Sequence, residues 1–222
     1  MNNILKKNKV CAVIPFYNES KSIGGIIRDT LPFVDRVIAV NDGSTDDSLL
    51  NVVKDDRVTL ISYSANKGKG FALNEGFKKS IEANFDFTVT IDADFQHKPE
   101  YIPSLIKGLE DNDVIIGNRL NKMNRMPVQR ILSNKITSFL LSIKTKQKIL
   151  DSQCGFRAYR TKVLNSILPS FTGFEAESEI ILNAAKNNFR IAFVYVPTIY
   201  NNGKSKMRPF EAIKGFIKVM LK

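Results

Sequence analysis

Val10-Cys11-Ala12-Val13-Ile14-Pro15-Phe16-Tyr17-Asn18-Glu19 joins a short apolar run to a polar turn. Residues 10–14 read as a buried strand that Pro15 and Asn18 bring to an end. Working outward, short β-branched runs recur at 36–40, 58–62, 87–91 and 113–116. Amphipathic stretches fall between them at 21–31, 46–54, 70–83 and 99–109, and are read as helices. Ser44, Thr45 and Asp46 offer hydroxyl and carboxylate caps for the second helix. Strand and helix in alternation predict an α/β domain with a mostly parallel central sheet flanked by helices.

The chain's 222 residues, 43% of them apolar, suffice for one full core and a single domain with some elaboration at an end. No charged leader runs into an apolar export segment, and no stretch of about 18 apolar residues could cross a bilayer, so neither export nor a membrane span is expected. Cys11 and Cys154 make neither a disulfide framework nor a zinc site and are expected as buried thiols.

The formal charge of +11 is unevenly placed. Residues 1–116 hold 14 Lys and Arg against 17 Asp and Glu, whereas residues 117–222 hold 19 against 5. A basic second half attracts phosphates, whether of nucleic acid, an anionic membrane or small molecules. No RNA- or DNA-binding signature accompanies the charge, and a nucleic-acid partner is not expected.

From Pro127 the apolar residues Val128, Ile131, Leu132, Ile136, Phe139, Leu140 and Ile143 recur at helical spacing among Arg130, Lys135 and Lys144. Near the C-terminus Phe210, Ile213, Phe216, Ile217, Met220 and Leu221 form a second stripe beside Lys214, Lys218 and Lys222, with Pro209 suited to the helix's first turn. Each stripe packs on the protein's own core or lies against an anionic bilayer, and the sequence leaves both readings open. The polar run 118–125 is expected as a mobile loop.

Ligands of an open parallel sheet bind at the carboxyl ends of its strands. The polar clusters here fall at such ends: Tyr17-Asn18-Glu19, Asn41-Asp42-Gly43-Ser44-Thr45-Asp46-Asp47 and, after the third strand, Asn66-Lys67-Gly68-Lys69-Gly70. Neither G-x-G-x-x-G nor G-x-x-x-x-G-K-[ST] occurs, which argues against a dinucleotide oxidoreductase and a P-loop NTPase. Ile91-Asp92-Ala93-Asp94-Phe95-Gln96 puts two carboxylates and an amide after a strand, hard oxygen ligands suited to Mg²⁺ or Mn²⁺ bridging a diphosphate.

In that order, Ile14-Pro15-Phe16-Tyr17-Asn18-Glu19, Asn41-Asp42-Gly43-Ser44-Thr45-Asp46, Asn66-Lys67-Gly68-Lys69-Gly70 and Asp92-Ala93-Asp94 resemble the motifs of family 2 glycosyltransferases. Gly117-Asn118-Arg119, Asp151-Ser152-Gln153-Cys154-Gly155-Phe156-Arg157 and Gly203-Lys204-Ser205-Lys206 resemble the branch of dolichol-phosphate mannose synthase and bacterial polyprenyl-phosphate transferases. The resemblance covers about residues 10–210 and implies the GT-A fold, with 1–116 as nucleotide-sugar half and 117–222 as acceptor half. It implies that Pro15, Tyr17, Asn18, Glu19, Asp42, Gly43, Ser44, Lys67, Gly68, Lys69 and Asp92 surround the donor, and that Asp94 and Gln96 hold the metal. Arg119, Arg157, Ser205 and Lys206 would hold phosphates, and Asp151 would sit near the attacking oxygen as a base or an orienting group.

The expected reaction is inverting hexosyl transfer from a UDP- or GDP-sugar to a polyprenyl phosphate, on the cytoplasmic side and peripheral to the membrane. Transfer to a saccharide hydroxyl is the alternative, and Phe174-Glu175-Ala176-Glu177-Ser178-Glu179 offers either a base for it or a helix opening. His97, the only histidine, is expected as an exposed loop residue.

Overall fold

The computed structural model describes residues 8–120, 127–199 and 209–222. Among them one sheet contains β1 (Val10–Phe16), β2 (Arg36–Asn41), β3 (Val58–Ser62), β4 (Phe87–Thr90), β5 (Val114–Asn118), β6 (Arg157–Arg160) and β7 (Ile191–Tyr195), in the spatial order β3-β2-β1-β4-β6-β5-β7. Every pairing is parallel except those of β6, which runs antiparallel to both β4 and β5. The α-helices are α1 (Ile23–Thr30), α2 (Lys69–Glu82), α3 (Ile102–Gly108), α4 (Val128–Thr145), the single turn α5 (Leu164–Ile167), α6 (Ala176–Lys186) and α7 (Pro209–Leu221).

All residues of β1, β4 and β5 are buried, as expected of central strands covered on both faces. Pro15 nevertheless lies inside β1. Phe16 O accepts from Asp42 N on the β2 side and Val13 O from Ile91 N on the β4 side, so by alternation Pro15 faces β4. Pairing with β4 stops at Val13 and Thr90, and the missing N–H therefore breaks no ladder bond.

The expected helix at 46–54 does not form. Asp46 Oδ1 accepts from the Ser48 amide at 3.0 Å, Asp47 O accepts from Leu50 and Asn51, and the segment closes as successive turns. Short polar side chains that bond their own backbone compete with the helix in this way. The expected 99–109 helix opens as a 3₁₀ turn, Pro99–Tyr101, before α3. β6 and β7 escape the pattern-based assignment because β6, Arg-Ala-Tyr-Arg, is four residues long and charged at both ends, and β7 is only partly buried. They draw residues after 150 into the same sheet as β1 and β4. Most of the expected loop at 118–125 lies outside the described residues.

Candidate active site

Because β1, β2, β4 and β5 run in one direction and β6 in the other, the ends of the first four and the start of β6 meet at one sheet edge. Residues 17–19, 42–44, 91–96, 119 and 151–156 are gathered there from across 140 positions of sequence.

The first two loops are laced together. Asn18, with φ of 51°, donates its amide to Ser44 Oγ at 3.0 Å and accepts from Thr45 N at 2.8 Å, and Glu19 N donates to Ser48 Oγ at 2.7 Å. Gly43 has φ of 68°, and a Cβ there would sit 2.5 Å from Asn66 N, so only glycine fits between the loops. Asp42 is buried, and its carboxylate accepts from Lys67 N at 2.8 Å, Gly68 N at 3.0 Å and Asn66 Nδ2 at 3.0 Å. It thereby fixes the 66–68 loop, while the Lys67 ammonium stands 4.6 Å from the Phe71 ring centre and 5.3 Å from that of Tyr63.

After β4 the chain makes a strained turn. Phe95 has φ of 59°, rare for an aromatic residue, and Gln96 N donates to Asp94 Oδ1 at 3.0 Å across it. The Lys69 ammonium bridges Asp92 Oδ1 at 2.7 Å and Glu177 Oε1 at 2.9 Å. Burial opposes ionisation of Asp92, but Lys69 overrides it and holds that carboxyl below its usual range. Asp94 has no such ion pair among the described residues, and burial followed by the Asp92 charge pushes its carboxyl up to about 6. A Cβ on Gly155 would lie 2.5 Å from Asp92 Oδ2, so glycine is what lets β6 close on this pair.

This donor set fits a divalent cation of the Mg²⁺ type. Such ions take one or two carboxylates and fill their remaining positions with water and substrate phosphate oxygens. Asp94 supplies an acidic oxygen that no cation pairs among the described residues, with Gln96 next to it across the turn, and no cluster of three His, Cys, Asp or Glu ligands occurs among those residues.

Facing this turn, Arg119 clamps Asp151 with Nε on Oδ2 at 2.8 Å and Nη2 on Oδ1 at 2.9 Å, while its amide donates to Oδ2 at 3.0 Å. Asn134 of α4 adds Nδ2 to Oδ1 at 2.6 Å. Asp151 is fully buried, and although burial opposes ionisation, Arg119 and these donors hold its carboxyl below the usual range.

The sequence profile described as Glycosyl transferase family 2 matches residues 11–168. The chain belongs to this family. The glycosyltransferase is 29% identical over 213 residues to the UDP-N-acetylglucosamine–dolichyl-phosphate N-acetylglucosaminyltransferase of Methanococcus voltae, covering 85% of this chain and 84% of that one. It is also 29% identical over 212 residues to the undecaprenyl-phosphate mannosyltransferase of Micrococcus luteus, with coverage of 90% and 87%. The fold is of the GT-A type. A glucosyl-3-phosphoglycerate synthase from Mycobacterium tuberculosis, solved with Mn²⁺, UDP and phosphoglyceric acid, superposes with a TM-score of 0.74 over 97% of this chain and 77% of its own at 20% identity.

Several site expectations change within the glycosyltransferase. Arg157, expected to hold a phosphate, points inward: it is 1% exposed, and its guanidinium donates to the carbonyls of Cys154 at 2.6 Å, Glu177 at 2.8 Å and Ser152 at 2.9 Å. The Lys69 ammonium, expected beside the donor, bridges two carboxylates instead of standing open to the cleft. His97 is buried rather than exposed, with Nε2 3.7 Å from Cys154 Sγ, and burial followed by the Arg119 charge pushes it down to about 4. Glu177 and Glu179 do open α6, yet neither faces solvent, since Glu179 accepts from the amides of Ser170 and Phe171. Cys11 and Cys154 are buried free thiols, as expected. Ser205 and Lys206 lie outside the described residues. Glu177, expected as a base or part of a helix opening, is instead the second partner of Lys69, and Asn134, which stands in no motif, supports Asp151.

Proposed function

We propose that the enzyme transfers a hexose from a UDP- or GDP-sugar to a polyprenyl phosphate, with inversion, at the cytoplasmic face of a membrane. Asp151 carries the acceptor reading. Its oxygens are taken up by Arg119 and Asn134 and its carboxyl is held low, so it is a poor base for a sugar hydroxyl. A lipid phosphate is already anionic and needs alignment and charge shielding, which the oriented Arg119 supplies. The two relatives named for dolichyl- and undecaprenyl-phosphate transfer support the same class.

In this reading Tyr17, Glu19 and the loop fixed by Asp42 receive base and ribose, with Pro15, Asn18, Gly43, Ser44, Lys67 and Gly68 shaping their walls. Asp94 and Gln96 would hold Mg²⁺ or Mn²⁺ against the donor diphosphate, where the ion supplies Lewis-acid neutralisation of the leaving group. Lys69 keeps Asp92 ionised and, itself anchored by Glu177, holds it in place beside Asp94. A phosphate oxygen held by Arg119 bonds to the anomeric carbon as the bond to the diphosphate breaks and its electron pair leaves with the diphosphate.

Labelled UDP- and GDP-sugars offered with detergent-dispersed polyprenyl phosphate beside free saccharides test the reading. Label is expected in the lipid phosphate fraction. Recovery in oligosaccharide alone defeats the acceptor assignment, and a calorimetric panel of nucleoside diphosphates in Mn²⁺ separates the two donor bases.

A further inference from the structure

α4 buries Asn134, Ser138 and Leu141 toward the site, and its opposite side carries no protein partner among the described residues. Val128 is 78%, Leu132 59%, Phe139 64% and Ile143 61% exposed, with Ile136 at 50%. At 3.6 residues per turn these residues fall within an arc of about 120° centred opposite the buried one. Lys135 and Lys144, both exposed, lie on the two flanks of that arc. The neighbouring α7 repeats the arrangement, with Val219 buried, Ile213, Ile217 and Leu221 exposed, and Lys214 and Lys218 exposed beside them. Lys144 Nζ donates to Met220 O and ties the ends of the two helices together. At the same end of α4, Lys144, Lys146, Lys186 and Arg190 line an open groove of about 390 Å³.

Large apolar side chains left in water on two tied helices mark an interaction surface. The charge around them chooses the occupant. A second copy of this chain would set lysine against lysine, whereas anionic headgroups neutralise the flanks while acyl chains receive the stripes. We propose that the outer faces of α4 and α7 form a bilayer-docking surface for anionic lipid. The surface deepens the polyprenyl-phosphate reading and rests on it for its biological role, though not for its physical test. α4 also holds Asp151 through Asn134, so the helix that meets the membrane is the one that supports the Arg119 clamp.

The test is sedimentation of the full chain with vesicles of phosphatidylcholine alone and of phosphatidylcholine mixed with phosphatidylglycerol. Binding is expected to the mixed vesicles, to weaken with salt, and to fall at least tenfold in Leu132→Asp/Phe139→Asp. Lys135→Gln and Lys214→Gln are each expected to weaken it roughly fivefold. Circular dichroism and calorimetric UDP or GDP binding should be unchanged in the Leu132/Phe139 variant, which separates docking from folding and from the donor site. Wild type that ignores both vesicle types, or a double variant that sediments like wild type, overturns the proposal. So does a dimer in solution that the double variant splits, for then the face joins two copies. If vesicles bind but no nucleoside diphosphate does, docking stands and the donor reading falls.

Discussion

Lys69 Nζ lies 2.7 Å from Asp92 Oδ1, and this one contact separates the behaviour of two carboxylates a residue apart. Asp92 is compensated and held ionised below its usual range, whereas Asp94 is left to repel it and is raised to about 6. The division gives the turn one structural acid and one acid available for a cation.

Removing the ammonium should expose that division. Lys69→Met leaves Asp92 and Glu177 partly buried without a cation, and loss of one member of a buried pair costs about 3 kcal/mol. Combining it with Glu177→Gln removes one orphaned charge, so the double variant should be more stable than the sum of the single losses. Urea unfolding of the four proteins in a double-mutant cycle measures the difference, and strict additivity would contradict the bridge.

Asp94→Asn should abolish transfer and yet stabilise the metal-free protein. A carboxyl raised in the folded state favours folding only when protonated, so its ionisation is unfavourable to folding between the ordinary carboxylate range and about pH 6, and fully so above. The variant should therefore gain roughly 1–2 kcal/mol at pH 7, with the gain vanishing near pH 3. Thermal melts across that range in EDTA check it; an equal shift at every pH would remove the charge explanation.

For Asp151 the sign is reversed. Its carboxyl is lowered in the folded state, so its stabilisation is present above the ordinary carboxylate range and is lost as pH falls through the lowered value. Asp151→Asn should destabilise the protein at pH 7 by about 3 kcal/mol, and should reduce kcat without removing an ionisation from the acid limb of its pH profile. Disappearance of such an ionisation would restore Asp151 as the base.

Arg157 distinguishes support from phosphate binding. Arg157→Met strips three buried carbonyls of their donor and should lower stability by about 2–3 kcal/mol. At a temperature where the variant remains folded, KM for donor and acceptor should stay within about threefold of wild type. A rise of a hundredfold in either KM would show that the guanidinium reaches substrate.

The fold's first half was legible because each strand there is a short apolar run followed by a turn that carries Asp, Asn or Gly, and both signals are local. The same locality placed Asp42, Asp92 and Asp94 at strand ends. It failed at 46–54, where Asp46 accepts from the Ser48 amide and the Ser48 hydroxyl accepts from the Glu19 amide of the neighbouring loop, and at β6, whose charged ends give no strand signal.

The sequence by itself determined the family, the carboxylate turn after β4 and the basic character of residues 117–222. Only tertiary structure decided which charged groups pair with one another. In a string of residues Lys69 reads as a donor contact and Arg157 as a phosphate ligand, but burial against Asp92, Glu177 and three carbonyls turns both inward. The stripes of α4 and α7 are equally apolar whether packed or exposed, and only the placement of neighbouring elements left them uncovered. Side-chain type sets what a group is able to bind, but desolvation and the nearest opposite charge, both non-local, set what it does bind.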